Sequence, residues 1–310
     1  MMLSLLFLSL SVLLCFPVLT FAVEENLIFV LRGQVPEFVP QAIVDIGANK
    51  GKWSAFVHRM YPSAPILLLE GDAQHEERLS KFCADKQGIE YQIAVLSESD
   101  DATVPWWGGG DTGNSMFRER TEMYKRDVPV SKKTCSLDTL IRKSHLKDKR
   151  VDLIKVDVQG AELVVLKGAV ETLHHATFVQ IEASTVQYND GGSCTWQVDE
   201  FLRSQGYALY DFGDRRYYYP SFKTPGLGQY DILYINTNNL PPKIQNATFC
   251  AGTGGGRILP ESIVELEQFV DESSSCKHSG FLVLVGLILG YLTCIIQNRF
   301  FKRRRIWRDD

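Results

Sequence analysis

Four carboxylates stand at or near the carboxyl ends of short apolar runs: Asp45 in AIVDI, Glu70 in ILLLE, Asp157 in VDLIKVD and Glu182 in TFVQIE. Packing alone does not explain the repetition, because like charges gathered at one place cost stability unless something compensates them. The first acid belongs to a sharper pattern. Ala42 to Ser54 reads AIVDIGANKGKWS, an apolar run broken by Asp45-x-Gly47-x-x-x-Gly51, with Asn49 between the glycines. Such a turn lets the backbone approach a ligand closely. In an open parallel sheet that ligand sits at the carboxyl edge, beside the first strand and its glycine turn. Glu70 ends the next run, twenty-five residues after Asp45, where a carboxylate accepts both hydroxyls of a ribose.

Two ligand classes carry a ribose and compete for this loop. A dinucleotide calls for G-x-G-x-x-G, with its pyrophosphate at a helix N-terminus. The loop lacks that spacing, and its acid opposes a pyrophosphate. S-adenosylmethionine has a ribose, an ammonium, a sulfonium and no phosphate, so an acid suits it. The bland alternatives are a tight turn with a satisfied Asp45, and Asp157 as the N-cap of the helix that follows it.

The elements that must position these acids are legible as alternating patterns. Apolar runs at 42–46, 66–70, 89–95, 151–157 and 177–182 alternate with helical stretches at 52–61, 73–86, 161–173 and 196–205. Short strands buried on both faces and separated by helices predict a parallel sheet in an α/β layer fold. The last two strands, 207–212 and 230–236, have no helix between them, so at least one is expected to be antiparallel. The stretch 98–135 shows little periodicity and contains WWGGGDTGNS; it reads as a long insertion, a lid or a binding loop. Its Trp106 and Trp107 serve equally as a sugar-stacking face or as a loop anchor. DGGS at 190–193 and RRYYY at 215–219 fall where they would line the same mouth; the latter also fits an exposed edge strand.

The segments VDIGANKGKWS, LLLEGD, IAVLSESDD, TGNSMFRE, CSLDTLI, IKVDVQGAELVVLKGA and VQIEAS, in this order and spacing, resemble the FkbM-type methyltransferase family over roughly 42–236. The resemblance implies a seven-stranded Rossmann-like class I methyltransferase sheet with helices on both faces, S-adenosyl-L-methionine as donor, and O-methylation of a sugar or metabolite hydroxyl. It implies that Asp45, Gly47, Asn49 and Gly51 surround the methionine end of the donor. Glu70 would take the ribose hydroxyls, Asp72 would reach the adenine side and Ala94 would flank the adenine. Asn114 and Ser115, in TGNS, would hydrogen-bond the acceptor. Gly71 stands where many relatives carry proline.

Methyl transfer is an in-line displacement that needs alignment and removal of the hydroxyl proton. Asp157 and Glu182 are the acceptor-side candidates. His58 is a lesser candidate base, better read as a helix-surface or packing histidine. His174-His175 reads as a pair compensating a helix C-terminus. No neighbouring histidine or third carboxylate has the spacing for a metal site beside Asp157 and Glu182.

The ends of the chain carry a different message. Residues 2–22 are almost wholly apolar and resemble a signal peptide, with the missing basic n-region leaving an uncleaved anchor as the alternative. Residues 279–297 are uncharged and span roughly 28 Å as a helix, close to the thickness of a bilayer's hydrocarbon core. Six basic residues follow in 298–310 against Asp309 and Asp310, which places that tail in the cytosol. The resulting domain plan is a signal peptide at 1–22, a catalytic body at 23–240, a stalk at 241–278, a transmembrane helix at 279–297 and a basic tail. The expected location is the secretory pathway, with the body lumenal. Asn246-Ala247-Thr248 is a glycosylation sequon, and Cys250 with Cys276 is a candidate stalk bridge. The body is acidic, which argues against nucleic acid as partner. A membrane-anchored O-methyltransferase acting on a glycan or other small acceptor, a non-catalytic lumenal binding module and a nicotinamide-dependent oxidoreductase are the three function classes in play; the loop disfavours the last.

Overall fold

The structure is a computed structural model that describes residues 27–108, 112–120, 128–217, 227–247 and 249. The leader, the span at 279–297, the basic tail, Tyr218, Tyr219, Thr248 of the sequon, and Cys250 and Cys276 lie outside these residues. Among the described residues no helix is long and apolar enough to cross a membrane.

Seven strands form the main sheet: β1 (Ile43–Ile46), β2 (Ile66–Glu70), β3 (Ile89–Ile93), β7 (Leu153–Val156), β8 (Phe178–Ser184), β9 (Tyr207–Tyr217) and β10 (Leu227–Asn236). Their order is β3-β2-β1-β7-β8-β10-β9. The first five are mutually parallel. β10 inserts between β8 and β9 and runs antiparallel to both, as the absence of a helix between the last strands predicts.

Helices cover both faces. On one side lie α1 (Leu27–Gln34), α2 (Lys52–Met60) and α3 (Glu76–Cys83), packing Leu31, Val57 and Leu79 over Ile43, Leu68 and Phe178. On the other lie α4 (Leu137–Lys143), α5 (Glu162–Lys167), α6 (Val170–His175) and α7 (Thr195–Ser204), packing Leu137, Val165, Leu173 and Leu202 over Val44, Ile154 and Ile181.

Four sequence expectations change. The 89–95 run is two strands: β3 stops at Ile93, and β4 (Val95–Leu96) leaves the main sheet. β4 joins β5 (Thr103–Trp106) and β6 (Val130–Cys135) in a three-stranded sheet of order β4-β6-β5. The 98–135 insertion is therefore partly built structure, paired through β6 and packed by a small cluster of Val95, Trp106, Met116 and Ala161. The 161–173 helix breaks at Gly168, where a Cβ would lie 2.1 Å from the Ser97 carbonyl oxygen. Finally, Ile244 and Phe249 pack on the α1–α2–α3 core, so the packed body runs past residue 240. Asn246 is exposed. Cys83, Cys135 and Cys194 are free thiols.

Candidate active site

A cavity of about 810 Å³ opens at the carboxyl edge of the parallel strands. Its floor follows from the alternation of side chains along each strand. Ile43, Leu153 and Phe178 of one face belong to the apolar core. Two residues further on, the same face presents Asp45, Lys155 and Gln180, which are direct cross-strand neighbours. The next level up holds Glu70, Asp157 and Glu182, with Glu182 opposite Asp231 of β10.

The glycine turn lines the cavity where β1 meets β2. Gly47 has φ +78, and a Cβ there would sit 1.8 Å from the Asp157 carbonyl oxygen. No other residue fits. Its N–H and that of Ala48 both donate to the Leu69 carbonyl, at 2.9 and 3.1 Å. Asn49 also takes a positive φ, 49°, and its N–H donates to Glu70 Oε2 at 2.7 Å. Glu70 Oε1 accepts the Asp72 N–H at 2.8 Å. Glu70 therefore pins the turn and still presents acceptor sites, because a carboxylate has about four. Burial pushes its carboxyl above the ordinary range, and the two N–H bonds offset part of that.

Lys155 organises the floor. Its Nζ lies 3.1 Å from Asp157 Oδ2 and 3.7 Å from Asp45 Oδ1. Burial works against its charge, but the Asp157 and Asp45 carboxylates outweigh burial and raise its pKa. Burial likewise pushes Asp157 up, and the Lys155 charge and hydrogen bonds more than reverse it, so Asp157 stays below the usual carboxylate range. Gln159, at φ +54, uses its amide to bridge the two upper acids. Nε2 donates to Asp157 Oδ1 at 3.0 Å and to Glu182 Oε2 at 2.6 Å. The turn carrying Gln159 is held from below by Glu162, whose Oε1 accepts N–H groups of Val158 and Gly160 and whose Oε2 accepts Ser193 Oγ. Burial pushes Glu162 up to about 7.

Several expected site residues take supporting positions instead. Gly47, Asn49, Glu70, Ala94, Asn114, Asp157 and Glu182 line the cavity; Asp45, Gly51, Asp72 and Ser115 do not. Asp45 is fully buried under the turn, where Oδ2 accepts Ser54 Oγ at 2.7 Å. Burial raises its pKa, with Lys155 and Ser54 pulling it back. Gly51 caps α2 at φ 71 and abuts Phe82, Leu68 and Leu79. Asp72 caps the following 3-10 turn through Gln74 and accepts Asn114 Nδ2 at 2.6 Å. Ser115 is 1% exposed and donates to the Val158 carbonyl. Together Asp72 and Ser115 tie the 112–116 segment over the cavity. His58 does not line it.

Trp106 anchors the loop and also lines the cavity. Its ring lies on Gly71, where a Cβ would meet it at 2.3 Å. Lys132 sits over the same ring at 4.4 Å and donates to the Gly71 carbonyl. This accounts for glycine rather than proline at 71. Trp107 pairs with Ser115 through both backbone bonds. Gly191 and Gly192 pack against Phe117 and the Asn189–Gly160 contact rather than lining the mouth. Arg215–Tyr217 lie in β9. His174 and His175 close α6. Among the described residues no His, Cys, Asp and Glu cluster has metal-binding geometry.

Sequence reasoning missed Lys155, Gln159, Gln180, Trp53 and Asp231. A lysine inside LIKVD was the available signal, since a cation inside a buried strand needs paired acids.

The family model for the methyltransferase FkbM domain matches residues 45–209. Methyltransferase sdnD of Sordaria araneosa is 31% identical over 156 residues, covering 42% of this chain and 60% of that protein. The 2-O-methyltransferase NoeI of Sinorhizobium fredii (strain NBRC 101917 / NGR234) is 26% identical over 162 residues, covering 48% of this chain and 65% of that protein. The chain thus spans less than two thirds of the length of either relative. Among solved structures, Aeropyrum pernix fibrillarin in complex with natively bound S-adenosyl-L-methionine aligns at TM-score 0.39 and 11% identity, over 66% of this chain and 72% of that one.

Proposed function

The chain belongs to the methyltransferase FkbM family, and from that premise we propose that it is an S-adenosyl-L-methionine-dependent O-methyltransferase. The observation that carries the reading is the cavity at the carboxyl edge of β1, β2 and β7, walled by the Gly47–Asn49 turn, Glu70 and Asp157. These groups fit the donor. Glu70 keeps acceptor sites for ribose hydroxyls, the Gly47 turn leaves room for close backbone approach, and Asp157 is an anion suited to an ammonium. The bound donor supplies an electrophilic methyl group on a sulfonium.

The remaining work belongs to this chain's residues. The turn and Glu70 fix the donor end. Asp157 stays ionised, which makes it a weak base and a good partner for a positive group. Glu182, joined to Asp157 through Gln159, faces the acceptor side and receives the hydroxyl proton. Alignment contributes within the roughly 7–11 kcal/mol range for well-oriented reactants, and a positioned base adds about 10²–10⁴-fold.

The finer reading concerns place and acceptor. The apolar segments 2–22 and 279–297, with the basic residues that follow the second, support a membrane-anchored enzyme with a lumenal body. That compartment supports a glycan acceptor. The test is a titration of the full-length chain with S-adenosylmethionine and with NAD, followed by transfer of a labelled methyl group to a lumenal glycan extract. Selective donor binding with alkali-stable label on the glycans is expected. NAD binding without S-adenosylmethionine binding sinks the enzyme class. Donor binding without transfer to any hydroxyl acceptor sinks the catalytic reading and favours a binding module.

A further inference from the structure

A left-handed backbone is unfavourable for any residue with a Cβ, least so for Asn and Asp. Among the described residues, the non-glycine positions that adopt it are Asn49, Asp101 and Gln159. The first two are types that tolerate it. Gln159, at φ +54, is not, although its neighbour Gly160 is a glycine at φ +92. Glycine at 159 would relieve the backbone, so the glutamine side chain is retained against strain. Such residues persist only where their surroundings over-determine them, and they gather at functional sites.

The surroundings here do over-determine it. Glu162 Oε1 accepts the Val158 and Gly160 N–H groups at 3.3 and 3.0 Å. The Ser193 N–H donates to the Gly160 carbonyl at 2.8 Å, and its Oγ donates to Glu162 Oε2 at 3.2 Å. Ser115 Oγ donates to the Val158 carbonyl at 3.3 Å. The turn is thus fastened from α5, from the loop before α7 and from the 112–116 segment.

What the fastened turn presents to the cavity is one amide. Its NH₂ group carries two hydrogens, and both are engaged: Nε2 donates to Asp157 Oδ1 at 3.0 Å and to Glu182 Oε2 at 2.6 Å. The two acids belong to neighbouring strands. Asp157 has a second holder, since Lys155 Nζ lies 3.1 Å from its other oxygen. The amide is therefore the tie between Glu182 and the donor side of the cavity.

We propose that Gln159 is a positioning residue for methyl transfer: it sets Glu182 against Asp157, and the strained turn is kept for that purpose. The proposal rests on the methyltransferase reading and adds to it the residue that aims its base.

The test compares the full-length chain with Gln159→Met, which keeps the side-chain length and the strain but has no N–H, and with Gln159→Gly, which removes both amide and strain. Transfer of labelled methyl from S-adenosylmethionine to a lumenal glycan extract is followed at saturating donor across pH. S-adenosylhomocysteine affinity and melting temperature are measured in parallel. Both variants are expected to lose transfer at least about tenfold, part of what a positioned base contributes. Donor-product affinity should hold within about threefold, because Lys155 still fixes Asp157. The acid limb of the rate profile should move to higher pH, since an N–H bond to a carboxylate favours its ionised form. Gln159→Gly should melt a few degrees above Gln159→Met as the strain is relieved. If Gln159→Met does not fold, Gln159→Gly carries the test against the wild-type chain.

Wild-type transfer by either folded variant overturns the proposal. So does a loss of transfer matched by an equal loss of donor-product affinity, or an unshifted acid limb, either of which makes Gln159 merely structural. A Gln159→Gly protein melting below Gln159→Met overturns the claim of strain. In each of these cases the wild-type chain still transfers methyl and the methyltransferase reading survives. Absence of transfer by the wild-type chain overturns both.

Discussion

On one face of the main sheet Val44, Ile46, Ile154, Val156, Val179 and Ile181 stay apolar to the ends of their strands. On the other, Ile43, Leu68, Leu153 and Phe178 give way two residues later to Asp45, Glu70, Lys155 and Gln180. The same strands, in the same register, thus build a continuous core on one side and a half-core capped by a polar floor on the other. The difference teaches how a parallel sheet acquires a site. The α4–α7 layer packs on an apolar face, whereas the face under α1–α3 is apolar at its lower level and ends in the cavity floor. On that side Lys155 supplies a positive charge to Asp45 and Asp157, and the neutral Gln159 amide hydrogen-bonds Asp157 and Glu182.

The comparison breaks first at Lys155. Lys155→Met leaves the buried Asp45 and the half-buried Asp157 without the cation they share. Removing one partner of a buried ion pair costs about 3–5 kcal/mol, so urea unfolding should show a loss of that size together with lost donor binding. A stability change below about 1 kcal/mol would mean that the polar floor is solvated and the ion pairs are incidental.

On the opposite face Ile181→Ala should cost about 2–5 kcal/mol in the same assay. Donor affinity, measured well below the unfolding transition, should stay unchanged. A large affinity loss with intact folding would show that the two faces are not separable.

Glu162 sharpens the boundary between the faces, because it is buried under the turn that bears Gln159. Its carboxyl is raised from 4.5 to about 7, so the folded protein holds a proton that the unfolded chain gives up between those values. That contribution is fully present below about pH 4.5 and lost as the pH rises through about 7, on the order of 3 kcal/mol. Glu162→Gln keeps the acceptor oxygen for Val158 and Gly160 and should flatten this slope. Asp45 and Glu70 are also raised and add the same sign to both proteins, so the difference between the two pH profiles isolates Glu162. Superimposable profiles would remove Glu162 from the account.

The smallest effect is expected at Glu70. Both of its oxygens accept backbone N–H groups. In Glu70→Gln the new NH₂ faces a donor and one bond is lost. Donor affinity should fall about tenfold, near 1.4 kcal/mol, and the melting temperature should drop by a few degrees as the turn loses that bond. Unaltered affinity would place the ribose elsewhere.

The sequence by itself determined the class of fold and the level of the site. Apolar runs ending in acids and alternating with helices require a parallel sheet with charges at its carboxyl edge, since each run is short enough to read locally. Gly47 was legible for the same reason: a tight turn is a local property. The sequence also marked Glu70, Asp157 and Glu182, which face the cavity, but equally marked Asp45, Asp72 and Ser115, which do not. Pattern alone cannot separate a lining carboxylate from one bonded to its own protein, because that depends on partners far away in the chain. Only the strand order decided it. Placing β7 next to β1 sets Lys155 against Asp45. Placing β10 next to β8 sets Asp231 against Glu182 and within reach of Gln180. The β4-β6-β5 sheet lays Trp106 on Gly71. Each of these pairings joins residues distant along the chain, and burial makes each of them matter, since a charge removed from water must find its partner in the fold.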